Sequence, residues 1–366
     1  MKFIIKKKFF LKTIQKLNNI ICINTEHPIT NNILCCIKDN ITYLMSTNLE
    51  LEIISKIHCS KVFSFGEILI PGKKILNIIR SFPQNAEINI TINNNSMELQ
   101  YQNIYFSLNI INAKNFPRFK RKEIIHNLTV NQKKFKNMIY NTHYAMAKQD
   151  IRHYLNGMNI KIKNNKILAI ATDGYRMAFA YTKYNHAKTN ISIIIPYKTI
   201  LKLIQILEDT DDLFQIHIGK KIIQFNLGTD IISSKIIDQQ YPNCKNFFIK
   251  KFDKIISIDK DKLKQALIRA SILIHQKLQG VRITMKNGLC IVTSNNENDE
   301  KIKEKFQINY FDIPIEITIN IKYILDVIRT IQNSTIDILL TNNSSAIYIK
   351  CTNINNSYHI IMPLVL

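Results

Sequence analysis

Four carboxylates stand close together in the second half of the chain, at Glu208, Asp209, Asp211 and Asp212. Clustered carboxylate oxygens bind Mg²⁺, and the metal ion supports phosphoryl transfer by neutralising negative charge on the reacting phosphate. A Mg²⁺-dependent nucleic-acid enzyme that uses residues 208 to 212 is therefore one hypothesis. The cluster directly follows a helical pattern, however, and the corresponding segments of the chain carry no matching carboxylates, so a solvated turn is the favoured interpretation.

Two histidines are the other candidates for acid–base chemistry. His143 and His153 bracket a predicted helix end near Asp150, and the imidazole group titrates close to neutral pH. A polar surface patch is the favoured interpretation of these residues. Since the sequence also contains no GxGxxG, GxxxxGKS/T, GxSxG or HExxH pattern, we expect no catalytic site, no bound metal ion and no cofactor.

Seven cysteines are distributed through the chain without a CxxC pair. An odd number of cysteines argues against a disulfide framework and agrees with a reducing, cytoplasmic location. Cys35 and Cys36 lie on a short apolar run, where we expect one buried and one half-buried side chain rather than a metal or redox pair. No apolar run reaches the roughly 18 residues that a membrane-spanning helix needs, so no membrane partner is expected.

The secondary-structure elements that must position the candidate residues occur three times in the sequence. IPGKKILNIIRSF begins at residue 70, IPYKTILKLIQIL at residue 195 and INIKYILDVIRTI at residue 319. In each copy a lysine (Lys73, Lys198 or Lys322) precedes apolar residues at the i, i+1, i+3 and i+4 spacing of one helix face. Copies that begin 125 and 124 residues apart are long enough for each to bury its own core.

Short runs rich in Ile, Tyr, Phe and Thr separate the helical segments and predict strands. The clearest of these runs cover residues 41 to 47, 86 to 92, 104 to 110, 168 to 172 and 289 to 294. A strand followed by a helix opens each copy, and Thr47-Asn48, Thr172-Asp173 and Ser294-Asn295 recur at matching places. The predicted fold class is α+β, with two helices packed on antiparallel sheet in each of three similar domains. The predicted domains are residues 1–122, 128–244 and 253–366.

The chain is strongly basic, with 50 Lys and Arg residues against 27 Asp and Glu residues and a formal net charge of +23. This charge suits a polyanion such as nucleic acid, although codon drift in an AT-rich genome also produces a Lys-rich composition. The placement of charge is more informative, because Lys73, Lys198 and Lys322 share one register in three helices. Further basic residues predicted on free helix faces are Lys6, Lys8, Lys12, Lys74, Arg80, Lys133, Lys136, Lys202, Lys264 and Arg269.

Five strings in the second and third copies make the sequence similar to a known family. They are QDIRHYLNGM at residues 149 to 158, ATDGYRMA at 171 to 178, YPN at 241 to 243, GVRI at 280 to 283 and MPLVL at 362 to 366. Together with the threefold repeat, they resemble the β sliding clamp, the processivity subunit of bacterial DNA polymerase III. The resemblance implies the DNA clamp fold: a non-catalytic homodimer whose six similar domains form a head-to-tail ring around duplex DNA.

The resemblance also implies three sets of site residues. Those that match DNA-facing positions are Lys73, Arg80, Gln149, His153, Tyr154 and Lys198. Those that match a partner-binding cleft between the second and third domains are Leu155, Thr172, Gly174, Tyr175, Arg176, Met177, Pro242, Phe247, Leu278, Asn320, Tyr323, Ser344, Ala346, Ile360, Ile361, Met362, Pro363 and Leu364. Those that match the dimer interface are Lys74, Phe106, Leu108, Ile272, Leu273, Glu300 and Glu304.

The partners that the resemblance implies are double-stranded DNA and proteins that carry a short peptide of apolar residues and Gln. These proteins are the DNA polymerase III catalytic subunit, the clamp loader, other DNA polymerases and repair proteins. The residues agree with such a cleft at the C-terminus, because the apolar end IIMPLVL makes sense if it lines a groove. A monomeric three-domain adaptor that never closes a ring is the third hypothesis.

Overall fold

The computed structural model describes residues 1–21, 26–38, 41–93, 95–119, 124–184, 190–248, 251–273, 280–296, 300–341, 346–352 and 356–364. Within these ranges the chain forms two compact units. The first combines Met1–Val130 with Leu213–Ile236, and the second combines Asn131–Asp212 with Ile237–Leu366. The division between the units thus falls inside the second predicted domain, and each unit contains a sheet to which two consecutive repeats contribute strands.

Six α-helices occur in the described residues, two in each predicted domain. They are α1 (Lys7–Asn18), α2 (Gly72–Ser81), α3 (Gln132–Tyr140), α4 (Tyr197–Ile206), α5 (Lys260–Ser271) and α6 (Ile321–Thr330). Each helix begins directly after a strand, and the helices pack in pairs, α1 on α2, α3 on α4 and α5 on α6. The three segments with a repeated lysine and one apolar face form α2, α4 and α6, which confirms that prediction.

The described part of the first predicted domain contains ten strands, and that of each of the other two contains eight. Those of the first are β1 (Lys2–Lys6), β2 (Asn32–Lys38), β3 (Ile41–Thr47), β4 (Leu51–His58), β5 (Lys61–Ser64), β6 (Gly66–Pro71), β7 (Glu87–Asn93), β8 (Ser96–Tyr101), β9 (Ile104–Asn109) and β10 (Ile111–Asn112). Those of the second are β11 (His126–Asn131), β12 (Gly157–Lys163), β13 (Lys166–Thr172), β14 (Arg176–Lys183), β15 (Ile191–Pro196), β16 (Leu213–Ile218), β17 (Ile222–Asn226) and β18 (Asp230–Lys235). Those of the third are β19 (Lys254–Asp259), β20 (Gly280–Lys286), β21 (Leu289–Asn295), β22 (Lys301–Gln307), β23 (Ile315–Asn320), β24 (Thr335–Leu340), β25 (Ile347–Cys351) and β26 (Ser357–Ile361).

The described strands form four antiparallel sheets. The first unit contains a five-stranded sheet of order β5-β1-β7-β8-β9 and a nine-stranded sheet of order β10-β6-β2-β3-β4-β18-β17-β16-β11. The second unit contains an eight-stranded sheet of order β15-β12-β13-β14-β26-β25-β24-β19 and a four-stranded sheet of order β22-β21-β20-β23. The predicted α+β class with antiparallel sheets is therefore confirmed.

Two edge-to-edge strand pairs join consecutive repeats. In the first joint β4 pairs with β18, with Ile53 opposite Ile232. In the second joint β14 pairs with β26, with Phe179 opposite Tyr358 and their rings stacked at 5.1 Å. By its position in the sheet, β9 of the first repeat corresponds to β18 of the second and β26 of the third. In the same way, β22 of the third repeat corresponds to β4 of the first and β14 of the second. Among the described strands, β9 and β22 are each paired on one side only.

Apolar side chains between the helix pairs and the sheets form the cores. In the third repeat, Leu263 and Leu267 of α5 and Ile324 and Ile328 of α6 belong to one buried cluster with Ile338 of β24. Burying one side chain of this size stabilises the fold by about 1.5–3 kcal/mol. Because the apolar positions of a helix face the sheet, Lys73, Lys198 and Lys322 are left on the solvent side.

The structure also tests three smaller predictions. Cys35 is buried and Cys36 is half-buried, as predicted, while Cys22 lies outside the described residues. Lys202 is a correction, because its side chain is only 5% exposed and therefore does not belong to a free basic face. Among the described residues, no helix has the length and apolar character that crossing a membrane requires.

Candidate functional site

The three repeated lysines lie in the first turns of α2, α4 and α6. Lys73, Lys198 and Lys322 are each the second residue of their helix, and each is exposed. These fully described first turns contain no acidic residue. A positive charge near a helix N-terminus opposes the helix dipole at a cost of about 0.3–1 kcal/mol, so the lysines gain nothing from the helix itself. Their position favours an anionic partner.

The other predicted DNA-facing residues occur in both units. In the first unit Arg80 is exposed at the end of α2, and Lys7 Nζ donates to the Arg80 carbonyl oxygen at 2.9 Å. In the second unit Gln149 and His153 are exposed, and Tyr154 is half-buried. The predicted residues are thus accessible to a large ligand, with Tyr154 held partly in the protein.

Gln149 is presented by a loop whose shape is fixed by hydrogen bonds. Gln149 has a φ of 58°, and the carboxylate of Asp150 accepts hydrogen bonds from the Arg152 backbone N–H at 2.8 Å and from its Nε and Nη2 at 3.0 Å. Hydrogen bonds from Arg152 lower the pKa of Asp150 to about 2. His143 Nδ1 lies 2.7 Å from the Tyr140 carbonyl oxygen. These contacts favour the polar patch over an acid–base pair.

An apolar cluster, here called the apolar cleft, gathers much of the predicted partner site. Its buried members are Ile170, Met177, Phe179, Ile194, Tyr241, Cys244, Leu339, Ala346, Tyr348 and Ile360. Its partly buried members are Tyr154, Leu168, Ile237, Phe247, Phe248, Phe252, Tyr358 and Met362. The partly buried side chains pack against the buried members and keep part of their apolar surface in contact with solvent.

A five-residue turn, residues 172 to 176, leads into Met177 of the apolar cleft. The Thr172 hydroxyl accepts from the Gly174 N–H at 3.1 Å and donates to the Arg176 carbonyl oxygen at 2.6 Å. Asp173 Oδ1 accepts from the N–H groups of Tyr175 and Arg176 at 3.0 and 3.1 Å. Gly174 has a φ of 96°, a region that favours glycine. The turn therefore holds Tyr175 outward, 65% exposed.

The C-terminal segment runs along this turn. The Met362 N–H donates to the Tyr175 carbonyl oxygen at 3.0 Å, and the Leu364 N–H donates to the Thr318 carbonyl oxygen of β23 at 2.7 Å. Leu364 is 39% exposed, and residues 365 and 366 lie outside the described part of the chain. The apolar end is thus packed between two elements of the second unit.

The predicted dimer-interface residues lie on several elements, which include both outer edge strands, β9 and β22. On β9, Phe106 and Leu108 are half-buried, and the Phe106 ring lies 5.6 Å from the Phe82 ring. At the end of α5, Ile272 is 76% exposed and Leu273 is half-buried. Lys74 and Glu300 are exposed, whereas Glu304 accepts a hydrogen bond from Arg269 Nε at 2.7 Å. Arg269 is therefore engaged within the chain rather than free on a basic face.

Comparison with known proteins decides the family. Models of the N-terminal, central and C-terminal domains of the DNA polymerase III beta subunit match residues 1–120, 129–243 and 245–365. The chain belongs to the DNA polymerase III beta subunit family. The three matched domains follow one another in the order of the three repeats.

Individual relatives match the chain over its full length. The beta sliding clamp of Buchnera aphidicola subsp. Rhopalosiphum padi is 34% identical over 364 residues, and that of Escherichia coli strain K12 is 29% identical, each covering 100% of both chains. The crystal structure of the DNA polymerase III subunit beta from Pseudomonas aeruginosa is 28% identical, with a TM-score of 0.94 and 100% coverage of both chains. The fold prediction and the suspected resemblance are confirmed.

The structure gathers five of the predicted cleft residues in the apolar cleft. Met177, Phe247, Ala346, Ile360 and Met362 lie in the apolar cleft. Leu155, Thr172, Pro242, Pro363 and Leu364 lie within two residues along the chain of a cleft member, and Leu155 and Thr172 are buried. Asn320 lies at the end of β23. Leu278 and Ser344 lie outside the described residues.

Two predicted cleft residues belong to other surroundings. Ile361 is fully buried in the core beneath the third pair of helices, because alternate residues of β26 point to opposite faces of the sheet. Arg176 turns toward α6, where its Nη1 donates to Asp326 Oδ2 at 2.7 Å. The Ile361 side chain therefore faces away from the apolar cleft, whereas Arg176 lines an open cavity together with Tyr175 and Tyr323.

Three carboxylates of the acidic cluster accept hydrogen bonds from neighbouring side chains. Asp209 Oδ2 accepts from Lys136 Nζ at 2.8 Å, Asp211 Oδ1 accepts from Asn131 Nδ2 at 3.0 Å, and Asp212 Oδ2 accepts from the Thr210 hydroxyl at 2.8 Å. No group of three His, Cys, Asp or Glu side chains suited to a metal ion occurs in the described part of the chain. The carboxylates serve a turn between α4 and β16, as the favoured interpretation predicted.

Three residues of this region escaped the sequence analysis. Asp326 and Tyr144 contact the Arg176 guanidinium, and the Tyr144 hydroxyl in turn lies 2.8 Å from Nδ1 of the buried His359. One signal was available in the repeats, because Asp326 occupies the register position held by Asn77 and Lys202 in the other copies. A carboxylate that appears in one copy alone indicates a local contact rather than a requirement of the repeat.

Proposed function

We propose that this protein is a non-catalytic sliding clamp, a ring of two chains that encircles duplex DNA and tethers the replicative DNA polymerase. The observation that carries the proposal is the repeated edge pairing. Two joints of identical topology connect the repeats within one chain, and the corresponding strands β9 and β22 are left as outer edges. The proposed domains are residues 1–122, 128–244 and 253–366. Each domain offers one edge strand to the domain before it and another to the domain after it.

Ring closure follows if β22 of one chain pairs with β9 of a second chain. Such a head-to-tail contact forms a closed ring when the rotation between copies closes. The exposed Ile272 and half-buried Leu273 near β22, and Phe106 and Leu108 on β9, supply apolar surface for it. Exposed ion pairs contribute only about 0–1 kcal/mol, so apolar burial is expected to dominate over Lys74, Glu300 and Glu304.

DNA binding in this proposal uses the solvent faces of the helices. The exposed Lys73, Lys198 and Lys322 contact phosphates, with Arg80, Gln149, His153 and Tyr154 as further contacts. Lysine-to-phosphate contacts carry no sequence information and weaken with salt. These properties suit a protein that must move along DNA without stopping at particular sequences. The proposed location is therefore the cytoplasm, with the DNA.

Partner binding uses the apolar cleft. A short peptide of apolar residues and Gln, carried by the DNA polymerase III catalytic subunit, the clamp loader, other polymerases or repair proteins, fits an apolar edge lined by Phe247 and Met362. Methionine side chains repack around different ligands, which suits a shared docking site. Deleting residues 362 to 366 should abolish binding of such a peptide while the mass of the assembly stays that of a dimer.

The decisive experiment tests topology. The protein is loaded on nicked circular DNA by a bacterial clamp loader, and retention is measured before and after the circle is cut once. We expect retention on the circle and rapid loss after cutting, because a ring slides off free ends. The double variant Ile272→Ala with Leu273→Ala should sediment as a monomer and should not be retained. Equal retention on cut and intact DNA would contradict the sliding mechanism.

A further inference from the structure

The first repeat contains a strand, β5, that has no counterpart in the third repeat. It lies in the link between β4 and β6 and forms one edge of the five-stranded sheet, where it pairs only with β1 among the described strands. The corresponding link of the third repeat, residues 308 to 314, is fully described and contains no strand, while that of the second repeat lies partly outside the described residues. The strand β5 is therefore not a requirement of the repeat.

Two phenylalanine rings at β5 are exposed to solvent. Phe63 is 59% exposed, and Phe65, which directly follows the strand, is 60% exposed. The register of β5 against β1 shifts at Phe63, which has no opposite residue on β1, and such a bulge re-aims a side chain. Because exposed apolar side chains at an open sheet edge promote aggregation, the two uncovered rings favour a ligand that uses them.

Lysines flank these rings. Lys2 Nζ of β1 lies 5.5 Å from the centre of the Phe63 ring, within the range of a cation–π contact, and Lys61 is exposed at the start of β5. Neither Lys2 nor Lys61 forms an ion pair with a carboxylate of the described residues. Glu87 on the adjacent β7 lies 3.9 Å from Lys6. The rings are thus combined with positive charge that the described carboxylates leave unpaired.

The lysine over the ring lies on the outward face of the sheet. Side chains alternate between the two faces of a strand, and on β1 Phe3 and Ile5 are fully buried whereas Lys2 is exposed. On the neighbouring β7, the polar Asn89 and Thr91 lie on the same side as Lys2. This face therefore offers a ligand aromatic rings, lysines and hydrogen-bonding side chains together.

Residues 61 to 65 also have a spacing that is typical of single-stranded nucleic-acid recognition. They read Lys-Val-Phe-Ser-Phe, so a basic residue and two aromatic residues alternate along the chain. The RNA-recognition motif carries the same alternation, K/R-G-F/Y-G/A-F, and its rings stack on unpaired bases. The link of the third repeat contains Phe311, which is 75% exposed, but no lysine. Of these two links, only the first combines exposed rings with lysine.

We propose that the two rings, together with Lys2 and Lys61, form a stacking site for single-stranded nucleic acid, in which unpaired bases cover the rings and phosphates contact the lysines. Every base presents a π face, so such a site binds without regard to sequence. An acidic protein surface would match the lysines equally well, whereas the π faces beside them favour bases. The inference goes beyond the tethering function, because it needs neither ring closure nor the apolar cleft.

Fluorescence anisotropy with the full-length protein is the first test. The probe is a labelled oligothymidylate of about 16 nucleotides, the upper end of the site size of one single-strand-binding domain. The double variant Phe63→Leu with Phe65→Leu should bind about tenfold more weakly or worse, because it loses both stacking faces. Phe63→Tyr with Phe65→Tyr keeps the faces and should bind as the wild type does. Phe311→Leu is the matched control and should also bind normally. Wild-type affinity in the leucine variant, or no binding by the wild type, overturns the proposal.

Salt dependence and competition separate nucleic acid from an acidic protein. Each of Lys2→Gln and Lys61→Gln should reduce the slope of log affinity against log salt by about 0.7, the value for one phosphate contact of a single strand. Polyglutamate represents the acidic protein, and displacement of the oligothymidylate by an equal concentration of it would overturn the proposal. Oligouridylate compares RNA with DNA. The tighter binder identifies the ligand, and either result supports the stacking site.

Photochemical crosslinking locates the bound strand without any substitution. Irradiated oligothymidylate should attach at Phe63 or Phe65, and fragmentation of the tryptic peptide of residues 62 to 73 resolves the position. A polymerase-derived peptide should not reduce this attachment, because the apolar cleft is a separate site. Attachment only at α2, α4 or α6, or its loss when the peptide is added, would overturn the proposal. The leucine variant should be retained on nicked circular DNA like the wild type, so failure of the sliding mechanism and failure of this site give different results.

Discussion

The two joints contain the same turn, built on different side chains. In residues 47 to 51 and in residues 172 to 176, a threonine hydroxyl accepts the N–H two residues later at 3.1 Å and donates to the carbonyl four residues later. The third residue has a positive φ in both turns, 71° at Leu49 and 96° at Gly174. The carbonyl oxygen of the fourth residue accepts from Lys235 at 2.9 Å in the first joint and from Met362 at 3.0 Å in the second.

The joints differ at the fifth and sixth residues, counted from the threonine. The first continues with Leu51, 1% exposed, and Glu52, whose carboxylate accepts the Phe119 N–H at 2.9 Å. The second continues with the ion-paired Arg176 and with Met177 in the apolar cleft. A common backbone frame therefore does not specify a partner site. The side chains at these two positions decide whether the joint carries a buried carboxylate or an apolar surface.

The largest expected effect concerns the ion pair of the first joint. Asp230 accepts from Lys16 Nζ and from the Ser55 hydroxyl, both at 2.5 Å, and is 6% exposed. Asp230→Ala leaves the Lys16 charge without this partner, so the free energy of unfolding should fall by about 3–5 kcal/mol. Denaturant unfolding measures this loss. Glu316→Gln, which breaks an exposed pair with Arg282 at 3.2 Å, is the control and should change little.

Glu52 and Met177 are the sixth residues of the two joints, counted from the threonine. Exchanging these two residue types tests whether side chains alone distinguish the joints. Met177→Glu places a carboxylate in the apolar cleft, so affinity for a polymerase-derived peptide should fall by about a hundredfold, since an anchor contributes about 2 kcal/mol or more and the charge resists burial. The reciprocal Glu52→Met should leave that affinity unchanged. Isothermal titration measures both variants, and strong binding by Met177→Glu would refute the assignment of the cleft.

Alanine variants of two glycines distinguish the effect of backbone strain from that of a change in the shape of the cleft. Gly174 and Gly228 have φ values of 96° and 80°, so alanine at either position should cost about 1–2 kcal/mol of stability. A Cβ at Gly174 would lie 3.3 Å from Arg152, whereas one at Gly228 would meet nothing within 4 Å. Thermal unfolding should therefore give similar losses, while peptide titration should detect a loss only for Gly174→Ala. A loss in both variants would attribute the effect to general destabilisation.

The smallest effect is a pH dependence confined to the first joint. Burial raises the pKa of Glu52 above 4.5, outweighing the hydrogen bond from Phe119. A raised folded-state pKa favours the protonated form, so this contribution to stability is present at low pH and is lost as the pH rises through the folded-state pKa. Glu52→Gln should remove that part of the pH dependence. Above pH 4.5, a free energy of unfolding that varies equally with pH in the wild type and in Glu52→Gln would contradict this expectation.

The sequence by itself determined the threefold repeat, the α+β class and the helices α2, α4 and α6. These features follow from short-range periodicity, because a buried helix face and a strand each impose their own spacing on neighbouring residues. The recurrence of Lys73, Lys198 and Lys322 at the same position of three helices was likewise apparent from the sequence, and the structure leaves all three exposed. Resemblance to a family added the residues of the cleft, which no periodicity distinguishes from an ordinary core.

Only the tertiary structure decided which polar side chains are free and which are committed to a partner. Lys202 and Lys198 lie on the same helix, yet the first is buried and the second exposed. Arg176 meets Asp326 across 150 residues, and Lys16 meets Asp230 across 214. Such pairs impose no spacing on the chain between them, because their distance is set by how sheets and helices from separate repeats pack together. For that reason the polar network beside the cleft became apparent only in the folded chain.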